Sequence, residues 1–374
     1  MALILNEEQG MLRDSAQAFL SESAPVAHLR RLRDSRSEDG IDRALWAKFA
    51  ELGFAGVLVP EAHGGIGLGA VEAGVIAEQL GRTLTPSPFL STAVLSARAL
   101  VKAGSEAQQA KLLPAIAAAQ TIVAFAVDEH SKHRPSAIAT TAARDGDGWR
   151  LDGAKTFVLD GHIADSLIVV ARTSPASFTL FLVDAKAAGV AIERTVMVDA
   201  HNAARITFKG VKVGADAVIG PVDGGAPILD DVLDTGRAVV ASLLLGIADE
   251  AFTRTLGYLK ERKQFDRIIG EFQALQHRAA ELFTDIELCR SIVMRALQAI
   301  DTDPAKAAKV VCAAKAHACT TANRAVREGV QMHGGMGMTD EFDLGLFMKR
   351  ARVAQELLGD ATFHADRFAV LNGY

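Results

Sequence analysis

The sequence predicts an α+β chain in three parts: a helical N-terminal domain, a β-rich middle domain of barrel or sandwich type, and a C-terminal bundle of long helices. Three observations predict it. Apolar residues recur at helical spacing up to about residue 120. Short β-branched and aromatic runs, separated by Gly, Asp and Pro, follow from Thr121 to Ile219. Three long helical patterns then run from Val232 towards the C-terminus, each above the usual helix length. The expected domains are 1–120, 121–222 and 223–374.

Asn6 is placed to cap the first helix, with Gln9 at capping-box spacing, and Leu12, Ala16, Phe19 and Leu20 give its apolar stripe. A second helix is expected near Ile41–Leu52. The loop PEAHGGIGLG, Pro60–Gly69, has four glycines and so marks sharp turns or a close approach. It lacks the Lys-Ser/Thr pair of a phosphate-binding P-loop. Helices are expected over Val71–Leu80, Thr92–Lys102 and Glu106–Ala118. The strands expected next are Ile122–Val127, Trp149 into a turn at Gly153, Lys155–Leu159, Ser166–Ala171, Phe178–Val183, Val190–Val196, Ala204–Phe208 and Val211–Val213. The closing helices are Val232–Lys260, Phe272–Ile300 and Pro304–Val330.

The 374 residues allow a large core, and the net charge of −5 leaves no basic stripe for nucleic acid. Cys289, Cys312 and Cys319 lie in helical patterns with no CxxC pair, so neither disulfides nor a zinc site are expected. Acids at Glu7 and Glu8 replace the basic start of a secretory signal. The longest apolar run, Ala238–Ile247, is too short to span a bilayer, and a cytoplasmic location is expected.

Two stretches carry the chemistry. In YLKERKQFDRIIGEFQALQ, Tyr258–Gln276, a helical reading puts Arg262 and Phe265 on one face. The segment Asp266–Gly270 breaks the helix, and Gln273 opens the next one. In QMHGGMGMTDEFDLGLFMKRAR, Gln331–Arg352, the glycines 334, 335 and 337 suit a ligand cradle or a helix C-cap with a wide turn. His333 alone reads as a satisfied loop histidine.

Together with PEAHGGIGLG, DGAKTFVLDGHIADSLIVVART and ITFKGVKV, these stretches occur in the order and spacing of the acyl-CoA dehydrogenase flavoproteins, which the whole chain resembles. The resemblance implies an acyl-CoA dehydrogenase-like fold with a C-terminal four-helix bundle, a tetramer built as a dimer of dimers, and FAD as cofactor. It implies an acyl-CoA substrate and an electron-transfer flavoprotein as acceptor. In relatives the flavin ring lies between the β domain and the bundle. By the same resemblance Arg262 meets the pyrophosphate across a dimer interface, which suits a permanently charged planar fork. Phe265 packs near the adenine or ribityl end, and Gln273 hydrogen-bonds the cofactor. Gln331, Gly334 and Gly335 cradle the diphosphate. Phe157 stands where relatives place a tryptophan against the flavin. Arg237 matches an arginine near the cleft; from the residues alone it is equally a helix-end charge.

The family reaction needs a carboxylate base for the substrate α-proton. Leu358, in Glu356-Leu-Leu-Gly-Asp360, occupies the usual Glu position, and Gly236 occupies the alternative one. The loop Val127–Pro135 departs from the family's Thr-Glu-Pro…Gly-Ser-Asp pattern, Leu159 replaces a flavin-bonding Thr, and Asp266 replaces a glycine. Three readings follow: one subunit of a heteromeric dehydrogenase whose paralogue brings the base; a homomer with a displaced base at Asp360, Glu356 or Asp234; or a flavoprotein or acyl-CoA-binding paralogue put to another use.

Overall fold

The computed structural model describes residues 3–374. In chain order, α1 (Glu7–Ser23), α2 (Val26–Asp34), α3 (Arg43–Glu51), α4 (Ala70–Thr83), α5 (Ala97–Ala103) and α6 (Glu106–Ala117) come first. Eight strands follow: β1 (Val123–Ala126), β2 (Thr141–Asp145), β3 (Gly148–Leu159), β4 (Ser166–Arg172), β5 (Phe178–Asp184), β6 (Val190–Val196), β7 (Asn202–Val213) and β8 (Val218–Ile219). The remainder is α7 (Gly225–Glu261), a hairpin of β9 (Lys263–Gln264) and β10 (Arg267–Ile268), α8 (Gln273–Thr302), α9 (Pro304–His333), α10 (Leu344–Glu356) and α11 (Ala361–Leu371). The helical, β, helical order matches the sequence reading. No described helix is long and apolar enough to cross a membrane.

By contacts the chain falls into two compact units. One holds residues 31–69 and 86–236. Its sheet runs β6-β7-β3-β2-β4-β5-β8, with β1 parallel to β4. The core beneath it is apolar, with Trp149 set edge-on to Phe181 at 5.4 Å among Leu167, Val169, Ile206 and Phe208.

Gly153 does not turn the chain as expected. β3 runs straight through it as a bulge, because Gly153 at φ +148° brings its backbone against Thr140, where a Cβ would lie 2.6 Å from the Thr140 Cα. A second register shift, between Lys155 and Val158, leaves Phe157 at φ +50°. The predicted break in β7 is also absent, since Gly210 at φ +60° keeps the strand continuous. The helix expected from Thr92 begins earlier, as a π-helix over Phe89–Ser96. In the glycine-rich loop the close neighbour is the chain itself: a Cβ on Gly65 would fall 2.1 Å from the Val59 carbonyl oxygen.

The other unit holds α1, α4 and everything from Arg237 onwards. The Asn6–Gln9 capping box is formed. In the helix expected over Phe272–Ile300, the apolar residues that recur three and four apart are buried at Leu282, Ile286, Cys289, Val293 and Leu297 of α8 and half-buried at Phe272, Leu275 and Ala279. The three cysteines are buried free thiols. α4 and α7 meet backbone to backbone: a Cβ on Gly81 would lie 2.2 Å from the Leu243 oxygen, and one on Gly246 would lie 1.9 Å from the Glu78 oxygen. Gly246→Ala should therefore cost about 2–3 kcal/mol, as overpacking of a tight crossing does, read as a lower urea midpoint. An unchanged midpoint would contradict this contact.

A ladder of ion pairs crosses the same unit. Glu78 on α4 pairs with Arg290 on α8 at 2.8 Å, and Arg290 reaches Asp249 on α7 at 3.3 Å. Arg82 on α4 joins Asp249 and Glu250. Arg254 continues it from Glu250 at 2.8 Å to Asp343 at 2.7 Å, and Asp343 holds Arg30 of α2 at 2.9 Å.

Candidate functional site

Arg262 and Phe265 do not share a helix face. α7 ends at Glu261, and Arg262 N closes its last turn on the Tyr258 carbonyl at 2.9 Å. The chain then makes a two-residue hairpin whose tip, Phe265 and Asp266, has φ of +54° and +60°, the signs of a type I′ turn. Phe265 stands 85% exposed at that tip. The hairpin base is tied by Ile269 N to Arg262 O at 2.9 Å. Below it Leu259, Ile269 and Met332 form a small core with Tyr258, Phe272 and Leu275.

Tyr258 also stacks on His333, with ring centroids 4.2 Å apart, and Phe342 meets both rings edge-on. His333 is buried, which pushes its pKa down, while its Nδ1 contact to the Gly329 carbonyl at 2.8 Å pulls the other way. The ring is neutral and donates from Nδ1. This stack joins the hairpin to the glycine turn after α9, so two of the predicted segments do come together. Gly334 has φ +62°, and an added Cβ on Gly334 or Gly335 meets nothing within 4 Å. Arg262, Gln273 and Gln331 are exposed, and their side chains bond no described residue. Gln273 is the first residue of α8, as predicted.

Arg237 is not a helix-end charge. It lies well inside α7 and is 1% exposed. Its Nε donates to the Leu358 carbonyl at 3.1 Å, and its guanidinium stands 5.3 Å from the Phe363 ring. Leu358 is buried at φ +58° in the turn from α10 to α11. His364 Nε2 lies 3.2 Å from the same carbonyl. Lys315, fully buried on α9, donates to Gln355 O at 3.1 Å and Gly359 O at 3.0 Å. The sequence reading missed Lys315 and His364; the signal for the first was one charge within the run Ala313–Ala318.

The three candidate carboxylates have other engagements or little exposure. Asp360 caps α11, accepting from Phe363 N at 2.9 Å. Glu356 pairs with Arg352 at 2.9 Å. Asp234, on α7, is 7% exposed.

Phe157 belongs to the sheet unit, where it is 52% exposed. Its strand is stitched to the departing loop by Thr156 N to Asp128 O at 2.7 Å. Three residues on from Phe157, Asp160 accepts from Ser91 of the π-helix at 2.6 Å. In the same loop Asp128 holds His133 at 2.8 Å, and Glu129 pairs with buried Lys155 at 2.7 Å. Burial drives the Lys155 ammonium down to about 8 against the pull of Glu129. Burial opposes ionisation of Glu129 too, but Lys155 and the Ala139 amide keep its carboxyl below the ordinary value. The pair is charged at neutral pH.

Family models match the chain in three consecutive stretches: acyl-CoA dehydrogenase N-terminal domain over residues 6–120, middle domain over 124–211 and C-terminal domain over 223–369. A 3-(aryl)acrylate reductase of Clostridium sporogenes is 30% identical, over 94% of each chain. A solved variant of the Tcur3481–Tcur3483 steroid ACAD is 32% identical, with TM-score 0.89 and 98% of each chain covered. The ChsE4–ChsE5 complex from Mycobacterium tuberculosis contains a chain 27% identical, with TM-score 0.92 and full coverage of both. With all three domains present in order, the chain belongs to the acyl-CoA dehydrogenase family of oxidoreductases.

Proposed function

We propose that this chain is one subunit of a heteromeric, FAD-dependent acyl-CoA dehydrogenase, in which a base-containing paralogue supplies the carboxylate. What carries this reading is Leu358: by the resemblance it takes the base position, its side chain has no proton acceptor, and its carbonyl is bonded by Arg237 and His364. Two similar solved structures whose names join two gene products, Tcur3481–Tcur3483 and ChsE4–ChsE5, support a paired assembly.

The residues fit FAD. Arg262 offers an unengaged guanidinium suited to a pyrophosphate, Gln273 and Gln331 offer free amides, and Gly334 and Gly335 leave their backbone open. Phe265 presents an exposed ring that suits a flat face of the cofactor, and within the sheet unit Phe157 is likewise exposed. FAD, when bound, supplies the acceptor for the hydride that leaves the acyl β-carbon. This chain's part is to hold the cofactor, and Leu358 takes no proton. The α-proton must therefore go to a carboxylate from the paralogue. An electron-transfer flavoprotein is the proposed acceptor.

The test is the visible spectrum of the purified chain before and after a panel of acyl-CoAs. The reading expects no flavin, or flavin that does not bleach, until the paralogue is added. Bleaching by the chain alone would overturn it, and would direct attention to Asp360, Glu356 and Asp234 as bases. Arg262→Ala should lower the flavin-to-protein ratio of the assembled protein while leaving the melting point of the flavin-free chain nearly unchanged, because Arg262 is exposed and its side chain bonds no described residue. Unchanged flavin content would remove Arg262 from the cofactor site.

A further inference from the structure

The turn between α10 and α11 is strained and yet over-determined. Leu358 has φ +58°, a conformation that a non-glycine residue adopts only when its surroundings impose it. Gly359 follows at φ +106°, and a Cβ there would lie 2.3 Å from Phe363 Cδ1. Asp360 then fixes the start of α11 through the Phe363 amide.

Three buried basic side chains bond the carbonyls of this short segment. Arg237 and His364 approach the Leu358 oxygen from α7 and α11, at 3.1 and 3.2 Å. Lys315 approaches from α9. Its Nζ lies 3.1 Å from Gln355 O, 3.0 Å from Gly359 O, 3.5 Å from Ala354 O and 3.3 Å from Cys319 Sγ. It thus bonds the end of α10 and the residue after Leu358 at once, bracketing position 358 on both sides.

We propose that Lys315 is the positioning residue for position 358: by bridging Gln355 and Gly359 it holds residue 358 left-handed, and so sets where that side chain stands. The inference rests on the reading that position 358 corresponds to the base position of relatives. Lys315 touches neither cofactor nor substrate in this role. A lysine that only capped α10 would bond Ala354 and Gln355; the bond to Gly359 is what ties it to the turn.

Hydrogen exchange read by mass spectrometry on the full chain tests it. Lys315→Met should speed exchange of the peptide spanning 355–364 by about tenfold or more, with the rest of α9 unchanged. Glycine accepts φ +58° without strain, so in a Leu358→Gly background the same Lys315→Met change should cost less than about threefold. Equal losses in both backgrounds would reduce Lys315 to a helix cap and overturn the proposal, as would an unperturbed turn. If Lys315→Met fails to fold, His364→Phe keeps the ring and removes one bond to the Leu358 carbonyl. It should loosen the same peptide and be suppressed by Leu358→Gly in the same way; additive losses would again be decisive against it. These readings need no activity, so they stand apart from the spectral test above.

Discussion

Leu358→Glu is expected to make the flavin-loaded chain bleach with acyl-CoA about 10²–10⁴ times faster than the unsubstituted chain, the usual worth of one positioned general base. The backbone at 358 is already held by Arg237, His364 and, through Gly359, Lys315, so the new side chain inherits a fixed starting direction. Position 358 is 7% exposed, and burial raises a carboxyl pKa; the nearby Arg237 guanidinium opposes that rise. The new base accepts a proton only as the carboxylate, so bleaching should speed up as pH rises through its pKa. Anaerobic mixing with acyl-CoA, followed at the flavin absorbance, gives the rate. A variant that holds flavin and acyl-CoA but bleaches no faster would show that position 358 is not where the proton leaves.

Glu129→Ala should lower stability by about 3–5 kcal/mol, because it strands a buried ammonium. Lys155 is wholly buried, and it also donates to the Val127 carbonyl at 3.1 Å. Glu129 also receives the amides of Ala139 at 2.6 Å and Thr140 at 3.0 Å, so its loss frees two backbone donors as well. The double change Glu129→Gln with Lys155→Met removes both charges and keeps an acceptor for the amides. It should be clearly less damaging than Glu129→Ala. Denaturant midpoints of the three proteins decide it, and a Glu129→Ala loss under about 1 kcal/mol would mean that water or another group already satisfies Lys155.

The fold was legible wherever a periodic pattern met a burial requirement. The α8 stripe is the clearest case: Leu282, Ile286, Cys289, Val293 and Leu297 are all buried, while Phe272, Leu275 and Ala279 of the same spacing are half-buried. What escaped was set by tertiary partners. α2, Val-Ala-His-Leu-Arg-Arg-Leu-Arg-Asp, carries too few apolar residues to announce itself. The hairpin tip holds Phe265 and Asp266 where Asn-Gly is the usual signal, so the stretch reads as helix. Gly153 carries the sequence mark of a turn, but the Thr140 backbone beside it makes it a bulge. For the site, the residue types around the hairpin and the glycine turn were recognisable as motifs. The roles of Lys315 and Arg237 were not, because the carbonyls they bond lie 44 and 121 residues further along the chain.

The ion ladder from Glu78 to Arg30 has a consequence for how this sequence can drift. Asp249 serves both Arg82 and Arg290, Glu250 serves Arg82 and Arg254, and Asp343 serves Arg254 and Arg30. Neutralising one rung leaves its neighbours with an odd charge in a half-buried setting, so compensation must come from the next rung. Positions 30, 78, 82, 249, 250, 254, 290 and 343 should therefore change in concert among close homologues, with neighbouring rungs swapping sign or turning apolar together. Independent variation at 249 and 290 would show that the rungs act as separate surface pairs.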